Sequence, residues 1–134
     1  MVADLSDNSR QALAGVSASA PGLRMLVLHG SRARGTAHDR SDWDFANEAD
    51  KDFDPDGLLA ALADLLKVDR IDLVDLNRAG ALLRHRVASD GIVLFECEPG
   101  LFRRFWFDAV HTWCDFAPVL EPLYERTLQS LPSS

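Results

Sequence analysis

Apolar and polar residues alternate along this 134-residue chain with two different periods. Some segments are short apolar runs or alternate strictly between apolar and polar residues, which is typical of strands. These strand-like segments are 23–28, 42–48, 70–76 and 92–95. Other segments repeat their apolar residues at helical spacing, and these are 4–16, 55–66, 78–88 and 101–116. Strands that alternate with helices predict an α/β (α+β) fold of about four strands with flanking helices.

The ends of these helices are marked by residues that start or interrupt helical structure. Ser6, Asp54 and Asn77 precede three of the helices and are predicted N-caps, because their side chains can accept hydrogen bonds from free backbone N–H groups. Pro118 and Pro122 follow the last helical pattern closely. Since proline disrupts a helix interior, we expect a bend there and a short final helix.

The last third of the chain is rich in aromatic residues. Seven of the eleven aromatic residues lie there: Phe102, Phe105, Trp106, Phe107, Trp113, Phe116 and Tyr124. On a helix over 101–116 the apolar side chains cover roughly 200° of the circumference, which is wider than one core-facing stripe requires. Two interpretations remain open. The helix is either deeply packed into its own fold, or part of its apolar arc contacts another protein.

Candidate chemistry is concentrated where the first strand ends. Gly30 and Ser31 follow the apolar run, and glycine lets the backbone approach a bulky anion while serine supplies a hydroxyl and an N–H. Asp42 and Asp44 are two residues apart on the next strand, so both carboxylates leave the same face. Paired carboxylates suit a divalent metal ion, and Mg²⁺ in turn suits nucleotide phosphates. His29 is predicted to be a hydrogen-bonded structural histidine.

A third acidic residue is available on the strand at 70–76. Asp72 and Asp75 point to opposite faces of that strand, so at most one joins the pair, and spacing alone does not decide which. Residues 23–96, approximately, resemble the DNA polymerase β-type nucleotidyltransferases. The resemblance rests on the Gly-Ser pair, the Asp-x-Asp motif and the later strand aspartate. The short length and the run Ile-Asp-Leu-Val-Asp-Leu resemble the minimal nucleotidyltransferases, or MNT-domain proteins. This resemblance selects Asp72.

The resemblance carries further expectations for fold, site and partner. It implies a mixed sheet and a site in which Asp42, Asp44 and Asp72 are catalytic and hold Mg²⁺, with two ions expected. ATP is the expected substrate, and its phosphates would be bound by Gly30, Ser31, Arg32 and Arg40. Proteins of this kind often act as antitoxins that transfer AMP to a tyrosine of a HEPN-domain ribonuclease toxin. The resemblance therefore implies a HEPN-domain toxin as the protein partner.

Composition limits the other functions that the chain can have. The net charge of −7 argues against broad nucleic-acid binding, which needs lysine and arginine to neutralise phosphates. No apolar run is long enough for a membrane span and no signal peptide is evident, so we expect a cytoplasmic protein. Cys97 and Cys114 lack metal-ligand spacing and are expected to be free thiols.

The size of the chain is that of one domain. We expect a single nucleotidyltransferase domain over 1–134, with the core at about 23–96 and C-terminal helices at about 99–130. Two alternatives to the AMP-transferring antitoxin stay open. One is a small-molecule enzyme of the aminoglycoside nucleotidyltransferase type, and the other is an antitoxin that acts by binding alone.

Overall fold

The computed structural model describes the backbone of residues 6–38 and 41–130, and side chains within these ranges up to residue 115. The described residues form five helices and four strands. In chain order these are α1 (Asp7–Ala18), β1 (Leu23–His29), α2 (Ser31–Arg34), β2 (Trp43–Ala49), α3 (Pro55–Leu66), β3 (Ile71–Asp75), α4 (Ala81–Asp90), β4 (Ile92–Glu96) and α5 (Leu101–Ser130). Within these ranges, no helix combines the length and the apolar character that crossing a bilayer requires.

The four strands form one mixed sheet in the order β3-β2-β1-β4. The central strand β1 runs antiparallel to both β2 and β4, whereas β2 and β3 are parallel. Because β1 has neighbours on both edges and helices on both faces, its residues are almost all buried, as the continuous apolar run predicts. The predicted α/β fold with a four-stranded mixed sheet is confirmed.

Helices cover both faces of the sheet and divide the core in two. One cluster joins α1 and α3 to the sheet: Leu13, Leu23, Leu26, Leu28, Trp43, Phe45, Leu58, Leu62 and Leu94. The other cluster joins α4 and α5 to the opposite face: Met25, Val27, Ala46, Leu76, Val87, Ala88, Leu101, Phe105 and Ala109. Since side chains alternate along a strand, Asp44 lies on the same face as Ala46, the face that α4 and α5 cover.

Two predicted helix starts agree with the structure and one is wrong. Ser6 caps α1, and its Oγ accepts a hydrogen bond of 3.2 Å from the backbone N–H of Ser9. Asp54 occupies the N-cap position of α3, although its side chain makes no capping hydrogen bond. Asn77 does not cap α4, which begins at Ala81.

The reason for the later start of α4 is a local turn. The backbone N–H of Asn77 donates a hydrogen bond of 2.9 Å to Oδ1 of Asp75. Such a side-chain turn competes with the first turn of a helix. Helical structure therefore begins only after Gly80, which occupies the N-cap position.

The predicted break in the C-terminal region is also wrong. Helix α5 continues through Pro118 and Pro122 to Ser130 as one element of 30 residues. A proline within a helix removes one N–H donor and bends the axis, but a long helix can continue beyond it. The side chains of Phe116 and Tyr124, two of the aromatic residues noted above, lie outside the described residues.

Candidate active site

Gly30 forms the sharp turn between β1 and α2. Its φ of 75° and ψ of −159° are readily adopted only by glycine. The turn also lies so close to β2 that a Cβ added at Gly30 would collide with the carboxylate of Asp44. Glycine is therefore needed here for its backbone conformation and for the close approach of the turn to the acidic strand.

Ser31, the next residue, is completely buried, and its hydroxyl is unpaired. Its Oγ has no hydrogen-bond partner among the described residues, whereas its carbonyl oxygen accepts a bond of 3.0 Å from the N–H of Thr36. A buried hydroxyl without a partner costs about 1–3 kcal/mol. The hydroxyl thus has unused hydrogen-bonding capacity next to the Gly30 turn.

The three predicted acidic residues come together on one face of the sheet. Asp44 pairs with Asp72 in the parallel register of β2 and β3, and Asp42 lies two residues before Asp44. The pKa of Asp44 is raised to about 6, first by burial and then by the negative charges of Asp72 and Asp42. Each of these charges is therefore close enough to disfavour ionisation of Asp44.

Asp75 lies on the other face of β3. Ile71 and Leu73, which share its face of the strand, pack against the cluster under α1 and α3. The carboxylate of Asp75 accepts the hydrogen bond from Asn77 and approaches the guanidinium of Arg78 to 3.7 Å. The geometry therefore brings Asp72 to the pair and leaves Asp75 at the surface, while their catalytic roles stay predictions.

The donor set of the acidic cluster suits a hard divalent cation. Oxygen ligands from carboxylates are those that Mg²⁺ prefers, and the mutual repulsion that raises the pKa of Asp44 would be relieved by a cation between them. Among the described side chains, which lie within 6–38 and 41–115, no three acidic, histidine or cysteine residues are already arranged as a complete metal-ligand group. The residues fit Mg²⁺ in kind, and their side chains would have to converge further to hold it.

The raised pKa of Asp44 has a measurable consequence for stability. A carboxyl whose pKa is higher in the folded state stabilises the fold below its ordinary pKa, and this contribution is lost as the pH rises through about 6. In metal-free buffer, Asp44→Asn should therefore raise the free energy of unfolding at pH 7.5. After allowance for solvent screening, the expected gain is about 1–2 kcal/mol. Urea unfolding at pH 7.5 and 4.5 tests this, and a gain of the same size at both pH values would contradict it.

Arg32, predicted to bind nucleotide, makes several contacts within the chain. Its guanidinium stacks over the ring of Trp43 at 4.4 Å and donates hydrogen bonds to the carbonyl oxygens of Ser41 (3.0 Å) and His38 (3.4 Å). These contacts hold the turn that precedes β2. Direct nucleotide binding by Arg32 stays a prediction, and Arg40 lies outside the described residues.

The structure adds residues of α4 that the sequence did not single out. A pocket of 170 Å³ opens beside the Gly30 turn and the Asp44 carboxylate. Leu83, Arg86 and Asp90 line it from α4, and Arg34 lines it from α2. The three α4 residues share one helix face at spacings of three and four. That spacing is visible in the sequence, but only the packing of α4 on the acidic face of the sheet gives it significance.

His29 lies in the same pocket and only partly fits its predicted structural role. It is buried, and burial lowers the pKa of its imidazole despite a hydrogen bond with the backbone of Phe45. The second ring nitrogen, Nε2, has no partner among the described residues. A larger apolar cleft of about 540 Å³ lies between α1 and α3, beside the beginning of β1, and contains none of these residues.

A Gly-Ser turn beside carboxylates on two adjacent strands of a small mixed sheet defines a protein of the nucleotidyltransferase class. The family model of "Polymerase beta, Nucleotidyltransferase" matches residues 11–99. The chain belongs to this family, as the resemblance predicts.

A curated relative carries a more specific name. The chain is 45% identical over 92 residues to the protein adenylyltransferase MntA of Aphanizomenon flos-aquae, and the match covers 60% of this chain and 61% of that protein. The chain therefore matches about three fifths of the length of this curated relative.

Two solved structures share the fold. A toxin–antitoxin structure with AMP-PNP has a TM-score of 0.71 at 24% identity, covering 89% of this chain and 98% of that chain. The tri-AMPylated HEPN toxin of Shewanella oneidensis in complex with an MNT antitoxin gives a TM-score of 0.59 at 22% identity, covering 81% of this chain and 85% of that chain. At these identities the likeness establishes the fold alone.

Proposed function

We propose that this chain is a cytoplasmic antitoxin that transfers AMP from ATP to a tyrosine hydroxyl of a HEPN-domain ribonuclease toxin and thereby neutralises it. The observation that carries the proposal is the close approach of the Gly30-Ser31 turn to the carboxylate of Asp44, on which the charges of Asp42 and Asp72 also act. The name of the curated relative, a protein adenylyltransferase, supports the reaction. The AMPylated toxin bound to an antitoxin of the same fold supports the acceptor class.

The proposed transfer assigns a role to each residue of the turn and the acidic cluster. Asp42, Asp44 and Asp72 would hold Mg²⁺, and two ions are expected. The bound Mg²⁺ would neutralise charge on the triphosphate and lower the pKa of the acceptor hydroxyl. Asp72 accepts the proton of the tyrosine hydroxyl. The tyrosine oxygen then bonds to the α-phosphorus as the bond from that phosphorus to the β-phosphate oxygen breaks, and pyrophosphate leaves. The backbone of Gly30 and the free hydroxyl of Ser31 hold the terminal phosphates.

The acceptor needs a docking surface, and the outer face of α5 offers one. This outer face comprises Arg103, Trp106, Phe107 and Val110, of which Trp106 is 44% exposed and Phe107 57% exposed. On the opposite side of the same helix, Phe105 is buried against the sheet. The wide apolar arc is therefore divided: the side that carries Phe105 packs into the fold, and the outer face is the part that would contact another protein. Exposed large aromatic residues are favoured anchors of protein interfaces.

The direct test is a reaction of three components analysed by mass. The chain, ATP with Mg²⁺, and the HEPN-domain product of the neighbouring gene are incubated, and the intact mass of the toxin is measured. We expect one or more AMP additions on tyrosine, and none with Asp42→Asn, which removes a carboxylate but keeps its size. An inhibited but unmodified toxin would indicate an antitoxin that acts by binding alone. Transfer to an aminoglycoside instead would indicate the small-molecule enzyme.

A further inference from the structure

The pocket beside Gly30 has the size of a phosphate-binding subsite and is lined by two arginines, whose charge is balanced by Asp44 and Asp90. Its volume of 170 Å³ is below the roughly 300–1,000 Å³ of pockets that enclose a whole drug-sized ligand. It is lined by His29, Gly30, Arg34, Asp44, Leu83, Arg86 and Asp90. Two arginines from different helices thus face a space that opens directly beside the Asp44 carboxylate. A polyphosphate chain fits this combination better than the base or the ribose of a nucleotide does.

Arg86 is the cation whose role the fold leaves unexplained. It is half-buried on α4, and its guanidinium makes no hydrogen bond or ion pair with any residue in 6–38 or 41–115, where side chains are described. Arg86 lines the pocket together with Asp44 and His29, and its positive charge acts on both of these groups. A partly desolvated guanidinium is stabilised by a bidentate anion such as phosphate.

Arg34 of α2 already has an anionic partner, Asp90, which lies on α4 as Arg86 does. Its Nη1 donates to Oδ2 of Asp90 at 3.2 Å, and both side chains are largely shielded from solvent. A phosphate group carries more negative charge than a carboxylate and offers more acceptor oxygens, so it can compete for this guanidinium. In addition, His29 lines the same pocket, and its buried Nε2 has no hydrogen-bond partner among the described residues, so a second polar group of the pocket is unsatisfied.

We propose that Arg86 binds the terminal phosphates of the triphosphate together with Arg34. In the absence of substrate, Asp90 forms an ion pair with Arg34, and the phosphates displace Asp90 when they bind. This inference rests on the proposed function, because it assumes that the substrate of the site carries a polyphosphate. It adds to that function a phosphate-binding residue on α4 and an internal competitor for the substrate. Asp90 accordingly weakens substrate binding.

The test measures binding of inorganic tripolyphosphate and of ATP by calorimetry, both in the presence of Mg²⁺. Arg86→Ala should weaken both ligands by about tenfold or more, the usual effect of losing one charge-assisted contact. Arg86→Lys should recover part of the affinity, because it restores the charge without the planar fork. Arg78→Ala is the matched control, since Arg78 pairs with Asp75 on the opposite face of the sheet. Thermal melting verifies that each variant is folded.

The role of Asp90 is tested in a double-mutant cycle with Arg34. Asp90→Asn should tighten tripolyphosphate binding by about three- to tenfold, and this gain should vanish in an Arg34→Ala background. A gain that persists without Arg34 would reflect only the lost negative charge and would overturn the role of Asp90 as a competitor. Unchanged affinity in Arg86→Ala, or no binding of tripolyphosphate to the wild type, would overturn the subsite. Tripolyphosphate binding with the expected variant effects but without AMP transfer to the toxin would leave the subsite standing and refute the proposed reaction.

Discussion

Replacing Asp72 with asparagine is expected to reduce AMP transfer by at least about a thousandfold, because one substitution removes a carboxylate of the cation site and the proton acceptor. Asparagine keeps the size of the side chain, and the backbone pairing of Asp72 with Asp44 is unaffected. The fold should therefore persist. Activity is lost through charge, since an amide neither neutralises a cation nor accepts the proton of a tyrosine hydroxyl.

Asp75→Asn is the matched control on the same strand. Asp75 lies on the opposite face of β3, where it bonds to the backbone of Asn77 and pairs with Arg78. We expect this variant to retain transfer and to lose at most modest stability. Initial rates with labelled ATP and the HEPN-domain partner provide the comparison, and Mg²⁺-dependent ATP binding provides a second readout. An inactive Asp75→Asn beside an active Asp72→Asn would show that the wrong face of β3 had been assigned to the site.

The sequence predicts the sheet and the two faces of its strands well, because these depend on local periodicity. The alternation of Asp42, Trp43, Asp44 and Phe45 allows only one arrangement on a strand, with aromatic residues on one face and carboxylates on the other. In the structure Trp43 and Phe45 are buried beneath α1 and α3, and Asp44 faces the side of α4. The strand bounds differ from the predicted ones by at most one residue.

Features that depend on contacts between distant segments could not be predicted in this way. Spacing leaves Asp72 and Asp75 equivalent, and only the parallel register of β2 and β3 pairs Asp72 with Asp44. Arg86 looks like an ordinary surface arginine until α4 is packed over the acidic face. Arg32 is similar in sequence context to Arg34, yet its described contacts hold the turn before β2. Charge patterns thus identify candidates, and tertiary packing determines which of them face the site.

Tertiary packing also divides the wide apolar arc of α5 into a buried side and an exposed outer face. The exposed face allows a direct test of toxin binding. Trp106→Ala should weaken the complex with the HEPN-domain toxin by at least about 30-fold, the effect of an interface hot spot of 2 kcal/mol. Trp106 is 44% exposed in the isolated chain. Its loss should therefore spare the fold, unlike the loss of a buried aromatic residue.

Phe105, the preceding residue, provides the matched control because it is only 4% exposed and packs in the cluster under α4 and α5. Phe105→Ala should lower the free energy of unfolding by about 3–5 kcal/mol, whereas Trp106→Ala should change it little. Denaturant unfolding and equilibrium binding to the toxin separate the two effects. At toxin concentrations well above the weakened Kd, Trp106→Ala should recover normal AMP transfer, because the site at Gly30 and the acidic cluster is intact. Normal toxin affinity of Trp106→Ala would exclude Trp106 as an anchor. If Trp106→Ala stayed inactive at saturating toxin, α5 would also contribute to the chemistry.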